Sequence, residues 1–347
     1  MSDSAWRMQH MTIKLITAFI ISLAVALAIG KVLIPWLRRI KAGQMIREDG
    51  PTWHMSKSGT PTMGGLMFIA GTALACLSVG FGEMLQGEFA HIFVLIFSMI
   101  FGVIGFLDDY EKLRKKQNLG LTAGKKFLLQ LAAAIVFLFL LRFLGYLSPN
   151  LYIPFIQKTI PIPEPVYFVC AALLIVGMVN SVNLTDGVDG LATGTSIPVF
   201  VFYSVAAFAW GREFLSLGIF AAALTGGLFG FLFYNYNPAK IFMGDTGSLF
   251  LGGAVAGMAF VMDMPLILFP LGFVYLVETL SDIIQVIYFK LSHGKRVFKM
   301  APFHHHLEMG GWTGKKWSEK ELFRLFTAVS ALFAVVCFIG VMNRYRI

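Results

Sequence analysis

Two adjacent aspartates, Asp108 and Asp109, stand where a long apolar stretch of the sequence ends. Neighbouring carboxylates repel each other, so such a pair is costly unless a cation or a proton lies between them. The combination with nearby lysines indicates a divalent metal and a phosphate-bearing substrate. An acidic helix end followed by a basic membrane anchor is the alternative interpretation. The basic residues that follow the pair are Lys112, Arg114, Lys115 and Lys116.

A second acidic segment begins at Asn183 and contains Asp186 and Asp189, each followed by a glycine. Glycine lets a backbone turn tightly and approach a ligand. Carboxylate and amide oxygens suit Mg²⁺ or the hydroxyl and imide groups of a nucleotide. A plain polar turn between two helices is the alternative, and the spacing of an EF-hand is absent.

A third segment, residues 235–248, contains Asn237, Phe242 and Asp245. Asp245 precedes Thr, Gly and Ser at the predicted start of a helix, where free N–H groups favour a phosphate. Asp245 could also act only as an N-cap. Phe242 could stack on a base, although a single phenylalanine is more often a packing residue.

Three consecutive histidines, His304, His305 and His306, form a fourth polar segment. Adjacent histidines cannot all face one metal from a regular helix. One or two of them would instead offer neutral or cationic donors to a phosphate, and a surface cluster without a function is the alternative.

The composition indicates the structure that must position these segments. The 347 residues are 57% hydrophobic and 14% charged, whereas soluble domains carry about 25% charged residues. We therefore expect an all-α polytopic membrane protein, formed by residues 1–347 as a single domain. The net charge of +9 does not imply nucleic acid, because membrane proteins concentrate Lys and Arg in cytoplasmic loops.

Ten apolar segments approach the length of about 20 residues that a transmembrane helix needs. Lys and Arg are concentrated in the loops that follow the odd-numbered segments, which places those loops in the cytoplasm and both termini outside. All four polar segments fall in these loops, so we expect one composite site on the cytoplasmic face. The segments are residues 12–37, 62–81, 90–107, 127–147, 165–182, 191–210, 213–234, 247–262, 264–290 and 322–343.

The ninth segment carries four polar side chains, which are costly in a bilayer unless they face protein or water. Either this helix bends and lines a cavity, or it leaves the bilayer early. The four residues are Glu278, Ser281, Asp282 and Gln285.

The chain resembles the polyprenyl-phosphate N-acetylhexosamine-1-phosphate transferases over nearly its whole length. The matching motifs are GTPTMGG, FLDDY with Lys112, TAGKK, NLTDGVDGLA, NPAKIFMGDTGS and APFHHHLE. The first and last of them favour the branch that uses a muramoyl-pentapeptide substrate over the branches that use UDP-GlcNAc. Ser58 stands where many relatives would carry a basic residue, a role that Lys57 could take.

The resemblance implies ten transmembrane helices in a bacterial cell membrane, a cytoplasmic active site, Mg²⁺ dependence and a homodimer. It implies transfer of phospho-MurNAc-pentapeptide from UDP-MurNAc-pentapeptide to undecaprenyl phosphate in peptidoglycan synthesis. Direct displacement and a covalent phospho-enzyme would use the same carboxylates. The implied catalytic residues are Asp108, Asp109, Asp186 and His304; the implied metal ligands are Asp245 and Asp186; the implied substrate-binding residues are Lys112, Lys125, Asn183, Asp189, Asn237, Phe242, His305 and His306.

Functions of two further kinds fit the sequence less well. A prenyltransferase would need paired acidic motifs of the NDxxD kind, and Lys112 stands at the last position of the segment that starts at Asp108. A secondary transporter would need charged groups deep in several helices or visible inverted repeats. The polar residues of this sequence lie instead at one predicted face.

Overall fold

Apolar helices form most of the structure. The computed structural model describes residues 3–40, 57, 59–115, 117 and 119–345, so Ser58 and Lys116 lie outside the described residues. Two short strands, β1 (Asn150–Ile153) and β2 (Lys158–Pro161), form an antiparallel hairpin. The helices are α1 (Asp3–Arg39), α2 (Gly65–Val79), α3 (Phe81–Met84), α4 (Ala90–Lys115), α5 (Ala123–Phe143), α6 (Glu164–Thr185), α7 (Leu191–Trp210), α8 (Leu215–Asn235), α9 (Gly244–Val261), α10 (Leu268–Leu271), α11 (Phe273–Leu291), α12 (Phe303–Glu308) and α13 (Glu319–Val341).

The prediction of an all-α polytopic membrane protein is confirmed. Among the described residues, eight helices are long and apolar enough to cross a membrane, and a bent pair of helices would form a ninth span. The second predicted segment forms only the 15 residues of α2, which is shorter than the about 20 residues that a bilayer requires. All ten predicted segments are thus helical, but full spanning length is reached in eight or nine of them.

Two helices, α8 and α9, form the centre of the bundle. In each of them 89% of the most apolar stretch is buried within the protein. Helix α8 packs against α1, α2 and α7, while α9 packs against α4 and α6. Small residues allow the helix backbones to approach closely. Gly226 of α8 lies against the backbone of Phe19, and Gly105 of α4 lies against the backbone of Asp245. The second of these contacts brings the end of α4 to the start of α9.

The ninth predicted span is bent, which is one of the two outcomes that its polar residues allow. The segment Pro265–Leu271 meets α11 at an angle of 80°. Beyond the bend, Glu278, Ser281 and Gln285 are buried against protein. Asp282 and Gln285 also line an open groove of about 360 Å³. The polar side chains therefore face protein or the groove.

Charged side chains at the other end of the bundle are engaged in ion pairs. Lys14 pairs with Glu83 of α3, and Arg344 lies 3.0 Å from Asp263. These contacts join the segments that follow the second and eighth spans to residues near the two ends of the chain. The acidic and histidine segments lie at the opposite end of the bundle.

Candidate active site

The segments that follow the odd-numbered spans meet at one end of the bundle. The Gly64 N–H donates to the Phe242 carbonyl oxygen over 2.8 Å, and the Phe242 N–H donates to the Pro61 carbonyl oxygen over 2.8 Å. Lys57 Nζ lies 2.7 Å from Asp189 Oδ1. The GTPTMGG segment is therefore joined both to the segment before α9 and to the segment after α6.

Three carboxylates form the centre of this end. Asp108 and Asp109 are buried at the end of α4, and Asp245 is half-buried at the start of α9. One oxygen of each carboxylate lies within 4.8 Å of the others. Such a group of hard oxygen donors fits a divalent cation such as Mg²⁺. We call Asp108, Asp109 and Asp245 the acidic cluster.

Two lysines contact the acidic cluster. Lys112 Nζ lies 2.6 Å from Asp108 Oδ2 and 3.1 Å from Asp245 Oδ2. Lys126 Nζ lies 2.6 Å from Asp245 Oδ2. The positive charges offset the repulsion among the carboxylates and would also attract phosphate groups.

The two adjacent aspartates have different partners. Asp109 accepts hydrogen bonds from the backbone N–H of Asp245 (3.1 Å) and from the backbone N–H and hydroxyl of Thr246 (2.9 and 2.7 Å). It thereby satisfies free donors at the N-terminus of α9. Asp108 accepts from the Leu121 N–H over 2.9 Å and keeps its other oxygen towards Lys112. Asp109 thus secures α9, while Asp108 faces the lysine.

Asp186 lies near the acidic cluster but outside the group whose oxygens converge. Burial, together with the charges of Asp245 and Asp109, raises the pKa of the Asp186 carboxyl well above its usual range. Asn183, one turn earlier, donates to Asp245 Oδ1 over 3.1 Å and to Ser248 Oγ over 2.7 Å. The structure therefore places Asn183 against the acidic cluster.

A second polar cluster lies beside the first. Asp189 Oδ2 accepts hydrogen bonds from Asn237 Nδ2 (3.0 Å) and from the Ala239 N–H (2.9 Å). Lys57 contacts Asp189 and also Glu319, at the start of α13, over 2.7 Å. We call Lys57, Asp189, Asn237 and Glu319 the second cluster.

The three histidines have three separate environments. His304 is fully buried, and its Nδ1 lies 3.0 Å from Glu278 Oε2 while its Nε2 has no hydrogen-bond partner among the described residues. That Nε2 points at Gly187, where a Cβ atom would clash with it. His305 Nδ1 lies 2.6 Å from Glu308 Oε2. The structure thus directs His304 towards the segment that holds Asp186.

His306 is held by α12 and its surroundings. Its Nδ1 accepts a hydrogen bond from the Lys299 N–H over 3.1 Å, and its ring packs against Phe298 and Trp312. Burial, followed by the charge of Lys299, lowers the pKa of His306. A neutral ring that accepts a backbone hydrogen bond suits this packed position.

Sequence inspection missed two residues of the site. It selected Lys125, whose side chain is exposed, whereas the neighbouring Lys126 contacts Asp245. Helical spacing offered a signal, because Lys126 stands four residues before the buried Gln130 and so shares its face of α5. Glu319 offered no such signal, since an acidic residue in the first turn of a helix is common.

Known proteins are similar to this chain over most of its length. The model of Glycosyl transferase family 4 matches residues 91–263, and Phospho-N-acetylmuramoyl-pentapeptide-transferase signature 1 matches residues 57–69. The Phospho-N-acetylmuramoyl-pentapeptide-transferase of Heliobacterium modesticaldum is 46% identical over 331 residues, or 95% of this chain and 97% of the relative. The enzyme of the same name from Caldanaerobacter subterraneus is 45% identical over 304 residues (87% and 92%), and that from Clostridium acetobutylicum 43% over 330 (94% and 99%).

Proposed function

Since the chain belongs to the phospho-N-acetylmuramoyl-pentapeptide-transferase family, we propose that it transfers phospho-MurNAc-pentapeptide from UDP-MurNAc-pentapeptide to undecaprenyl phosphate. The products are lipid I and UMP. The observation that carries the proposal is the acidic cluster with its two lysines, at one end of a bundle of membrane-spanning helices. A site at a helix end can receive one substrate from the membrane and the other from water.

The same proposal includes the setting of the enzyme. It is a multi-pass protein of the bacterial cell membrane. Its acidic cluster faces the cytoplasm, because Lys and Arg are concentrated in the loops at that end. We further infer that residues 1–347 act as one transferase domain and that two copies form a homodimer.

Charge neutralisation is the main task of the residues around the phosphates. Both substrates are anionic, so they must be brought together and aligned. Lys112 and Lys126 would bind phosphate oxygens beside Asp245. Asp245 would hold Mg²⁺, which would supply positive charge at the diphosphate. Asp108 has an oxygen that faces away from the backbone. It would accept the proton of the lipid phosphate and so keep that phosphate dianionic.

Residues farther from the acidic cluster would position the donor substrate. Asp189 and Asn237, which are hydrogen-bonded to each other, would bind the uridine with carboxylate and amide groups, and Phe242 would stack on its base. His304 would donate from Nε2 to a phosphate, because Glu278 already occupies its Nδ1. Asp186, on which the charges of Asp245, Asp109 and Asp189 act, would serve as a further carboxylate of the catalytic and metal site.

Release of UMP tests the proposal directly. Purified protein is supplied with Mg²⁺, undecaprenyl phosphate and UDP-MurNAc-pentapeptide, and UMP and lipid I are measured together. UDP-GlcNAc in place of the muramoyl substrate is the matched comparison. Turnover with UDP-GlcNAc but not with the muramoyl substrate would assign the protein to a sister branch. Diphosphate release would indicate a prenyltransferase. Uptake into sealed vesicles without product formation would indicate a transporter.

Two neighbouring lysines provide a test of the phosphate contacts. We expect Lys126→Met to reduce kcat/KM for UDP-MurNAc-pentapeptide at least about tenfold, because it removes a charged partner from a half-buried site. Lys125→Met should change it less than about twofold, since an exposed lysine contributes little. A larger loss of kcat/KM with Lys125→Met than with Lys126→Met would instead support the sequence-based assignment of Lys125 to the phosphates. UMP release by the two variants decides between them.

A further inference from the structure

Glu319, the first residue of α13, makes contacts with three other segments of the chain. Its Oε2 accepts from Lys57 Nζ over 2.7 Å, from Asn237 Nδ2 over 3.1 Å and from the Asp189 N–H over 3.2 Å. Its side chain is only 15% exposed. One carboxylate oxygen therefore ties together the segments before α2, after α6 and after α8.

Capping of α13 does not account for these contacts. Ser318 and Glu321 form a reciprocal capping box, in which each side chain accepts from the backbone N–H of the other residue. Glu319 is therefore released from capping, and its carboxylate is directed at the second cluster. An acidic side chain that served only the helix terminus would not need three partners from distant segments.

The charges within the second cluster explain why Glu319 is needed there. Lys57 bridges the carboxylates of Asp189 and Glu319, at 2.7 Å from an oxygen of each. Asn237 is shared in the same way, at 3.0 Å from Asp189 and 3.1 Å from Glu319. Without Glu319, the ammonium and the amide would each keep a single acceptor and could rotate away. Glu319 thus fixes two donors that Asp189 alone does not fully constrain.

We propose that Glu319 is a positioning residue for the nucleotide end of the donor substrate. It holds Lys57 and Asn237 beside Asp189, so that the start of α13 is fixed against the residues that would bind the uridine. The inference rests on the proposed function, in which Asp189 and Asn237 bind that group. Its effect is confined to the nucleotide, because the acidic cluster has its own lysines, Lys112 and Lys126.

The nearly isosteric Glu319→Gln variant tests this role. We expect KM for UDP-MurNAc-pentapeptide to rise at least about tenfold, while kcat and KM for undecaprenyl phosphate change less than about twofold. Isothermal titration with UDP alone should show a similar rise in Kd. Glu321→Gln is the matched control, because it alters the capping box of the same helical turn. It should lower the thermal midpoint and leave both KM values unchanged.

A second comparison tests whether Glu319 acts through Lys57. The double variant Lys57→Met with Glu319→Gln should weaken UDP binding by less than the product of the two single losses, because coupled residues are not additive, and the part that remains reports the contact with Asn237. Unchanged KM and Kd for Glu319→Gln would overturn the inference. Equal losses in kcat and thermal stability without a change in KM would also overturn it. If the wild-type protein releases no UMP, the proposed function fails, and UDP titration still decides the role of Glu319.

Discussion

Replacing Asp245 with Asn is expected to reduce UMP release more than about 100-fold, a loss larger than that seen when groups outside a metal's ligand shell are removed. Asp245 Oδ2 lies 3.1 Å from Lys112 Nζ and 2.6 Å from Lys126 Nζ, and Oδ1 accepts from Asn183. An amide keeps the shape and one oxygen but loses the charge. The acidic cluster would then attract neither Mg²⁺ nor the lysines strongly enough to align two anionic substrates.

Glu111→Gln is a matched control for this variant. It removes the same charge from the same end of the bundle, but Glu111 is partly exposed and its ion pair among the described residues is with Lys115, one turn along α4, over 2.7 Å. Exposed pairs of this kind contribute little, so turnover should stay within about twofold. UMP release and the thermal midpoint are measured for both. Similar turnover in the two variants would show that Asp245 takes no part in the reaction.

Much of the helical architecture could be predicted because it follows from local composition. Apolar stretches of sufficient length must be helical in a bilayer, and alternating loops must fall on alternate faces. This reasoning placed the segments around Asp108, Asp189 and Asp245 at one end, where the structure also brings them together. It misjudged the length of α2, because residues 62–64 lie before the helix and the N–H groups of Gly64 and Gly65 donate to the carbonyl oxygens of Phe242 and Met243.

The partners of individual side chains could not be predicted, because they depend on contacts between distant segments. Glu319 and Lys57 are 262 positions apart in the sequence, and neither segment suggests the other. The choice between Lys125 and Lys126 depends on which face of α5 meets Asp245. The different partners of Asp108 and Asp109 depend on the close approach of α4 and α9 at Gly105. Residue types and spacing indicate the chemistry, while packing decides which atom performs it.

The adjacent aspartates provide the sharpest remaining prediction. Asp108→Asn should reduce UMP release more than about 100-fold and leave the thermal midpoint almost unchanged. The amide oxygen can still accept from the Leu121 N–H, while an uncharged NH₂ group replaces the oxygen that faces Lys112. The fold contact is kept, and only the group that faces the substrates is lost. UMP release and thermal unfolding in detergent measure the two effects separately.

Asp109→Asn should reduce both turnover and stability. Its two oxygens accept three hydrogen bonds from Asp245 and Thr246, so an amide would place an N–H group against the N–H donors of α9. Loss of such charged, buried hydrogen bonds costs about 1.5–3 kcal/mol. Turnover would fall because the start of α9, which carries Asp245, would no longer be held against α4.

Thr246→Val tests how much of the stability depends on the hydrogen bond between the Thr246 hydroxyl and Asp109. It removes the hydroxyl that donates to Asp109 over 2.7 Å but keeps the backbone bonds and every charge. We expect a smaller loss of stability than with Asp109→Asn, and turnover close to that of the wild type. The stability losses of the two substitutions should not add when combined, because both act on one contact. Equal destabilisation by Asp108→Asn and Asp109→Asn would contradict the division of roles. Destabilisation by Asp109→Asn alone would identify it as the anchor of α9 and leave Asp108 as the carboxylate that meets the lipid phosphate.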